Sequence, residues 1–200
     1  MAIEDKITAI ANSIRSKTGD TDLLTLDEMP AKISSISGGG SNDFDKYLEG
    51  TITEFTSNAE EIKSHRLWWL SELVTANLPE VKKIHDSAFS ECTKLKNIYV
   101  PKVETLCDSC LYCSFALERI DLPSIKRLEG WPFLFCDSLT AIVIGTTDCV
   151  LADGEQFKYD LQSWTIYVPD EALETYKTAT NWCEMVAYGK LKGISELPTE

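Results

Sequence analysis

Three cysteines spaced three residues apart are the first feature of this chain that could do chemistry. Cys107, Cys110 and Cys113 lie in the stretch ETLCDSCLYCSFALERI, residues 104–120. Zinc and iron–sulfur sites use such spacing, because thiolates separated by two residues can converge on one ion. The spacing raises two hypotheses, a metal site or structural thiols, and the elements that position these residues must decide between them.

A 22-residue repeat surrounds the cysteines. Pro79, Pro101 and Pro123 are 22 residues apart, and apolar residues recur two, five, ten, sixteen and nineteen positions after each proline. Because one such unit cannot bury its apolar side alone, several units must stack around a common core. The recurring apolar residues are Val81, Val103 and Ile125; Ile84, Leu106 and Leu128; Phe89, Leu111 and Phe133; Leu95, Leu117 and Leu139; and Ile98, Ile120 and Ile142, with a weaker upstream copy at Ile62, Leu67, Leu70, Leu73 and Leu78.

The repeat resembles the BspA-type leucine-rich repeat. The matching stretches are AFSECTKLKNIYVPKV and FLFCDSLTAIVI, together with the repeated apolar-Pro-x-apolar step, and they cover about residues 50–168. The resemblance implies a solenoid of about five units. The second copy departs from the pattern, since Leu111 replaces the aromatic residue and Ser114 stands where Cys92 and Cys136 stand.

The repeat favours a structural role for the thiols. A cysteine thirteen residues after the proline fills a packing position, where it behaves as a small apolar residue. Cys113 comes one residue early and is interpreted as a shifted occupant of that position, and Cys110 aligns with small residues. Cys107 aligns with His85 and Glu129, and stacked repeats about 4.8 Å apart could turn these three into a surface ladder that holds Zn²⁺ weakly. We expect no metal, no cofactor and no catalytic residue.

The N-terminal residues 1–36 are predicted to form a separate helical module. Ile3, Ile7, Ile10 and Ile14 form a seam in residues 3–17, and isoleucine at both core positions favours trimers. The alternative, that this seam packs within its own module, stays open. The Gly/Ser-rich residues 37–43 then read as a flexible linker.

Both ends of the chain resemble parts of phage proteins. Residues ITAIANSIRSKTGDTDLLTLDEMPAKISSI resemble a short segment at the front of phage tail and baseplate-associated proteins, which implies attachment or assembly. Residues IYVPDEALETYKTATNW resemble the cap that closes phage-borne repeat proteins. The predicted fold is therefore an α/β repeat: a helical module (1–36), a linker (37–43), a leucine-rich-repeat solenoid (44–168) and a C-terminal helical cap (169–200).

Composition and motifs exclude several functions. The net charge of −13 argues against nucleic acid and anionic membranes as partners, because both need clustered Lys and Arg. The N-terminus lacks the basic and apolar regions of a signal peptide, and no apolar run is long enough to span a bilayer. Among catalytic arrangements, only a Cys107–His85 nucleophile pair is conceivable, and nothing marks its third group or oxyanion hole. We therefore expect no enzyme.

Outward residues of the predicted strands are the best candidates for recognition. Parallel strands in stacked repeats form a flat surface that such proteins use for binding. Trp69 is a further candidate, because in an extended segment one residue of the Trp68–Trp69 pair must face outward. In the alternative, Trp68 fills a core position and Trp69 covers an edge of the repeat. The candidate binding residues are Asn77, Tyr99, Asp121, Val143, Tyr167 and Trp69.

These observations predict a non-enzymatic binding protein of a phage particle. Its solenoid would serve adhesion or assembly, and its partner would be a protein or surface glycan of a bacterial host, or another virion protein. The alternative is a soluble phage-encoded effector that binds a host intracellular protein. The expected location is accordingly the virion or the host bacterial cytoplasm.

Overall fold

The structure is a computed structural model that describes residues 50–152 and 164–199. By its contacts the chain divides into two units, Met1–Ile52 and Thr53–Glu200, and the description below concerns the second unit. The predicted N-terminal module, the linker and the isoleucine seam lie outside the described residues.

The solenoid is built on a ladder of short parallel strands, one from each repeat. Three strands form one sheet and four form a second, and β5 of the first sheet lies beside β7 of the second. Paired residues such as Thr75 and Asn97 are 22 residues apart, so the predicted repeat register is confirmed. The strands of this ladder are β1 (Glu54–Thr56), β3 (Thr75–Asn77), β5 (Asn97–Tyr99), β7 (Arg119–Leu122), β9 (Ala141–Ile144), β11 (Thr165–Val168) and β12 (Leu191–Gly193).

A second parallel ladder runs along another side of each repeat. Its strands have two residues each, and one residue of every pair points into the core. Lys83 pairs with Thr105, again one repeat apart. The strands are β2 (Glu61–Ile62), β4 (Lys83–Ile84), β6 (Thr105–Leu106), β8 (Arg127–Leu128) and β10 (Leu151–Ala152).

The core between the ladders contains the predicted apolar positions. Val81, Leu106, Leu111 and Leu117 are fully buried, and every other predicted rung is buried except Ile98, which is half-buried. All five residues of the weaker upstream copy are also buried. Because the same position of each repeat meets its own counterpart above and below, the core continues along the whole stack.

Turns form the third side of the repeat. Two positions in these turns have positive φ in successive repeats: His65, Ser87 and Ser109 form one column, and Trp69, Glu91, Cys113 and Phe135 form the other. Non-glycine residues adopt this conformation at a cost of roughly 1–2 kcal/mol each. At five of these positions, namely His65, Ser87, Trp69, Glu91 and Cys113, the backbone N–H group donates to a carbonyl of the next repeat, as from Ser87 to Asp108 (3.0 Å), which offsets that cost.

Helices contribute little to the described part of the chain. The α-helices there are α1 (Leu173–Thr178) and α2 (Cys183–Ala187), with 3₁₀ turns at Asp170–Ala172, Thr180–Trp182 and Ile194–Glu196. The expectation of an α/β repeat is therefore corrected to a repeat of strands and turns, because backbone bonds between neighbouring turns replace those of a helix. No helix in residues 50–152 or 164–199 is long and apolar enough to cross a membrane.

The C-terminal segment packs on the last strand of the second ladder. Tyr176 and Trp182 are buried edge-to-face with ring centroids 4.9 Å apart. The Trp182 indole N–H donates to the carbonyl of Val150 (3.0 Å), and the Tyr176 hydroxyl donates to the carbonyl of Asp148 (3.1 Å). The segment also contains β12, which pairs with β11 of the first ladder, so the segment is not purely helical. Its role as a cap stays a prediction.

Candidate functional site

The outward residues of three neighbouring strands form a continuous polar surface. We call this set the ladder surface: Thr75, Asn77, Asn97, Tyr99, Arg119 and Asp121, from β3, β5 and β7. In these strands alternate side chains point to opposite faces, so Ala76 and Ile120 enter the core while their neighbours point outward. These outward residues line a cleft of about 830 Å³.

Charged pairs edge this cleft. The Lys96 ammonium lies 3.0 Å from the Glu118 carboxylate, and the Arg119 Nε lies 2.9 Å from the Asp121 carboxylate. All four side chains are at least one-third exposed. Exposed ion pairs contribute only about 0–1 kcal/mol to stability. A ligand could therefore replace either pair at little cost to the fold.

The structure brings most, but not all, of the predicted binding residues together. Asn77 pairs in register with Tyr99, and Asp121 pairs with Val143. Tyr99 is 59% exposed, Asn77 and Asp121 are exposed, and Val143 is half-buried.

Tyr167 does not belong to this exposed surface. It lies in the predicted column opposite Val143, yet it is only 6% exposed. The 3₁₀ turn Ile194–Glu196 packs against its strand β11, and β12 pairs along the far edge of that strand. The expectation that Tyr167 faces outward is wrong, because a segment distant in sequence covers it.

Trp69 lies on the turn side of the repeat, away from the ladder surface. It is 61% exposed and has φ 64°, and Trp68 is 47% exposed. The alternative in which Trp68 fills the core is wrong. The segment forms turns and is not extended, so Leu67 and Leu70, which flank the tryptophan pair, are the residues that enter the core.

The three cysteines of the opening motif occupy three different environments. Cys110 is fully buried with its repeat counterparts Ala88 and Pro132, as predicted. Cys113 is half-buried in the positive-φ column, so its interpretation as a shifted packing residue is wrong. Ser114 occupies the packing position instead and is fully buried.

Cys107 is buried, so the three-residue surface ladder that its repeat alignment allowed does not form, although Cys107 does contact Glu129. Burial first, and then the hydrogen bond and charge of Glu129, raise the pKa of Cys107 to about 12. Its repeat neighbour His85 instead places Nε2 3.0 Å from the Glu61 carboxylate. A neutral thiol is a poor nucleophile and a poor metal ligand.

No group of three or more His, Cys, Asp and Glu side chains within residues 50–152 and 164–199 is arranged to hold a metal ion. That the protein carries no metal and no catalytic activity stays a prediction.

A sequence comparison identifies the repeat. Residues 60–185 match, in six copies, the repeat family described as "BspA type Leucine rich repeat region". No relative was found among curated protein sequences.

Two solved structures are similar in part. The protein described as "T. pallidum Leucine Rich Repeat protein (TpLRR)" is 22% identical, with a TM-score of 0.48 over 54% of this chain and 51% of its own. The "Pneumococcal vaccine antigen PcpA" is 19% identical, with a TM-score of 0.43 over 74% of this chain and 42% of its own. The chain thus spans about half of the first protein and less than half of the second.

Proposed function

Because the chain belongs to the BspA-type leucine-rich-repeat family, we propose that it is a non-enzymatic binding protein that engages a macromolecular ligand through its ladder surface. Leucine-rich-repeat proteins are generally protein-binding or adhesion modules, and stacked repeats provide extended surfaces for that purpose. The observation that carries the proposal is the cleft of about 830 Å³ on the ladder surface.

The chemistry of the ladder surface suits a protein ligand. Asn77 and Asn97 offer amide donors and acceptors, and Arg119 and Asp121 offer both signs of charge. Tyr99 is a large exposed aromatic residue in the same cleft. Tyr and Arg are among the residues that contribute most to binding at protein interfaces.

The biological setting we propose is a phage particle. The resemblance of residues 1–36 to the front of phage tail and baseplate-associated proteins supports it, and that module would attach the solenoid to the virion. The solenoid would then serve adhesion to a bacterial host or assembly with other virion proteins.

A phage-encoded effector inside the host is the second candidate. Cys92, Cys107 and Cys110 are buried free thiols, and burial raises the pKa of Cys92 to about 12 and that of Cys110 well above its ordinary value. Unpaired thiols are typical of reducing compartments. This observation favours a protein that works in the host cytoplasm.

Two experiments test these proposals. Mass spectrometry of purified virions detects the chain if it is a virion protein and misses it if it is a free effector.

Adsorption of the labelled full chain to host cells should fall roughly tenfold in Tyr99→Ala, which removes an aromatic contact from the ladder surface. The matched control is Tyr188→Ala, because Tyr188 is similarly exposed (53%) but lies outside the cleft. Equal adsorption of both variants and the parent chain would contradict a role for the ladder surface.

A further inference from the structure

A second pocket lies on the turn side of the solenoid, away from the ladder surface. It has a volume of about 280 Å³, and we call it the turn pocket. Three successive repeats contribute to it: His65 and Trp68 from the first, Ser87, Ser90 and Glu91 from the second, and Ser109 and Tyr112 from the third. The proposed function does not use these residues.

Two aromatic side chains line the turn pocket, one from the first of its three repeats and one from the third. Trp68 and Tyr112 occupy the same position two repeats apart, which places their backbones about 10 Å apart at the strand spacing of stacked repeats. The pocket volume of about 280 Å³ admits one small ring beside these two aromatic residues.

Neighbouring rings hold both aromatic side chains in place. Trp68 packs edge-to-face against His65, with centroids 6.0 Å apart, and against Trp69, at 5.7 Å. Tyr112 packs edge-to-face against Phe135 at 5.5 Å. Because these contacts already restrict the rings, a ligand would lose little affinity to the ordering of side chains.

Hydroxyl groups and one carboxylate provide the polar part of the pocket. Ser90 is buried and donates its hydroxyl hydrogen to the carbonyl of Ser109 (2.7 Å), which leaves its oxygen to accept from a ligand. Ser87 and Ser109 add two half-buried hydroxyls, each able to donate and accept. A carboxylate such as that of Glu91 accepts hydrogen bonds, so the ligand must bring hydrogen-bond donors.

We propose that the turn pocket binds a single pyranose ring of a glycan. The apolar C–H face of the sugar would pack against Trp68 or Tyr112, and its hydroxyls would bond to the serines and to Glu91. A proline-rich peptide is less well matched, since proline lacks the N–H donor that Glu91 requires. A quaternary ammonium group would satisfy Glu91 and the rings but would form no hydrogen bond with the hydroxyls of Ser87 and Ser109.

Saturation-transfer NMR on the full chain tests the proposal with a panel of free hexoses and N-acetylhexosamines. Choline and a short polyproline peptide serve as the alternative probes. We expect saturation of the ring protons of at least one sugar, with a dissociation constant of roughly 1–10 mM, typical of a single small ligand with few contacts. Trp68→Ala and Tyr112→Ala should each weaken it roughly tenfold. Trp68→Phe keeps an aromatic face and should have an intermediate effect.

Two controls separate this site from the ladder surface and from folding defects. Tyr99→Ala should leave sugar binding unchanged, and equal urea midpoints should show that the Trp68 and Tyr112 variants are folded. The proposal is overturned if no sugar in the panel is saturated, or if sugar binding survives loss of both aromatic side chains. It is also overturned if only choline or the peptide binds. None of these results bears on the adsorption test of Tyr99.

Discussion

Replacing Ser114 by cysteine should stabilise the protein, because the repeats on either side have a hydrogen-bonded cysteine at the position of Ser114. At the same position of adjacent repeats, the Cys92 thiol donates to the carbonyl of Leu67 and the Cys136 thiol to that of Leu111, both at 3.2 Å. The equivalent acceptor for Ser114 is the carbonyl of Phe89. The Ser114 hydroxyl is fully buried and has no hydrogen-bond partner in the structure.

The magnitude follows from the cost of a buried hydroxyl without a partner. Such a group costs about 1–3 kcal/mol. The longer C–S bond of cysteine reaches the carbonyl in both neighbouring repeats, and the same position already accommodates a sulfur there. Ser114→Cys should therefore raise the free energy of unfolding by about 1–3 kcal/mol. Ser114→Ala removes the hydroxyl but leaves a small void, so its gain should be smaller.

Urea unfolding under reducing conditions measures the effect. With a slope of about 2 kcal/mol per molar urea, the midpoint should rise by roughly 0.5–1.5 M at unchanged slope. The matched control is Cys92→Ser, which creates the same defect one repeat earlier and should lower the midpoint by a similar amount. A lower midpoint for Ser114→Cys together with an unchanged midpoint for Cys92→Ser would refute the reasoning, since the hydroxyl would then cost nothing.

Three further predictions concern the core, the thiols and the N-terminal module. Leu106→Ala and Leu117→Ala remove fully buried side chains and should each cost about 2–5 kcal/mol; unchanged urea midpoints in both would contradict the assigned core. Burial raises the pKa values of Cys92 and Cys107 from 9.0 to about 12 in the folded protein. The stability that these neutral thiols confer should therefore be complete below pH 9 and be lost as pH rises towards 12. Cys92→Ala should make the urea midpoint fall less steeply over that pH range, and an equally steep fall would contradict the raised pKa of Cys92. The isoleucine seam predicts self-association, so light scattering should show a trimer for the full chain and a monomer for a chain that begins at Asn42. If the full chain is a monomer at roughly tens of micromolar, the seam has only a structural role.

The sequence by itself determined the repeat and its core. The period of 22 placed Val81, Leu106 and Leu117 correctly, because an apolar residue that recurs at one position of every repeat has only the shared interior in which to be buried. The same reasoning predicted the ladder surface around Asn77, Tyr99 and Asp121, since side chains alternate along a strand between the core and the solvent.

The tertiary structure alone decided which side chains the turns and the chain end expose. Cys113, Glu91 and Phe135 share a positive φ that their residue types do not signal, so the alignment could not separate Cys113 from the packing position that Ser114 fills. Likewise, the exposure of Trp68 depends on a turn in which Leu67 and Leu70 take the core positions. The burial of Tyr167 depends on β12 and the turn after it, which come from about 25 residues further along the chain. The physical reason is common to all three: the repeat fixes an average environment for each position, whereas backbone conformation and contacts distant in sequence fix the environment of each residue.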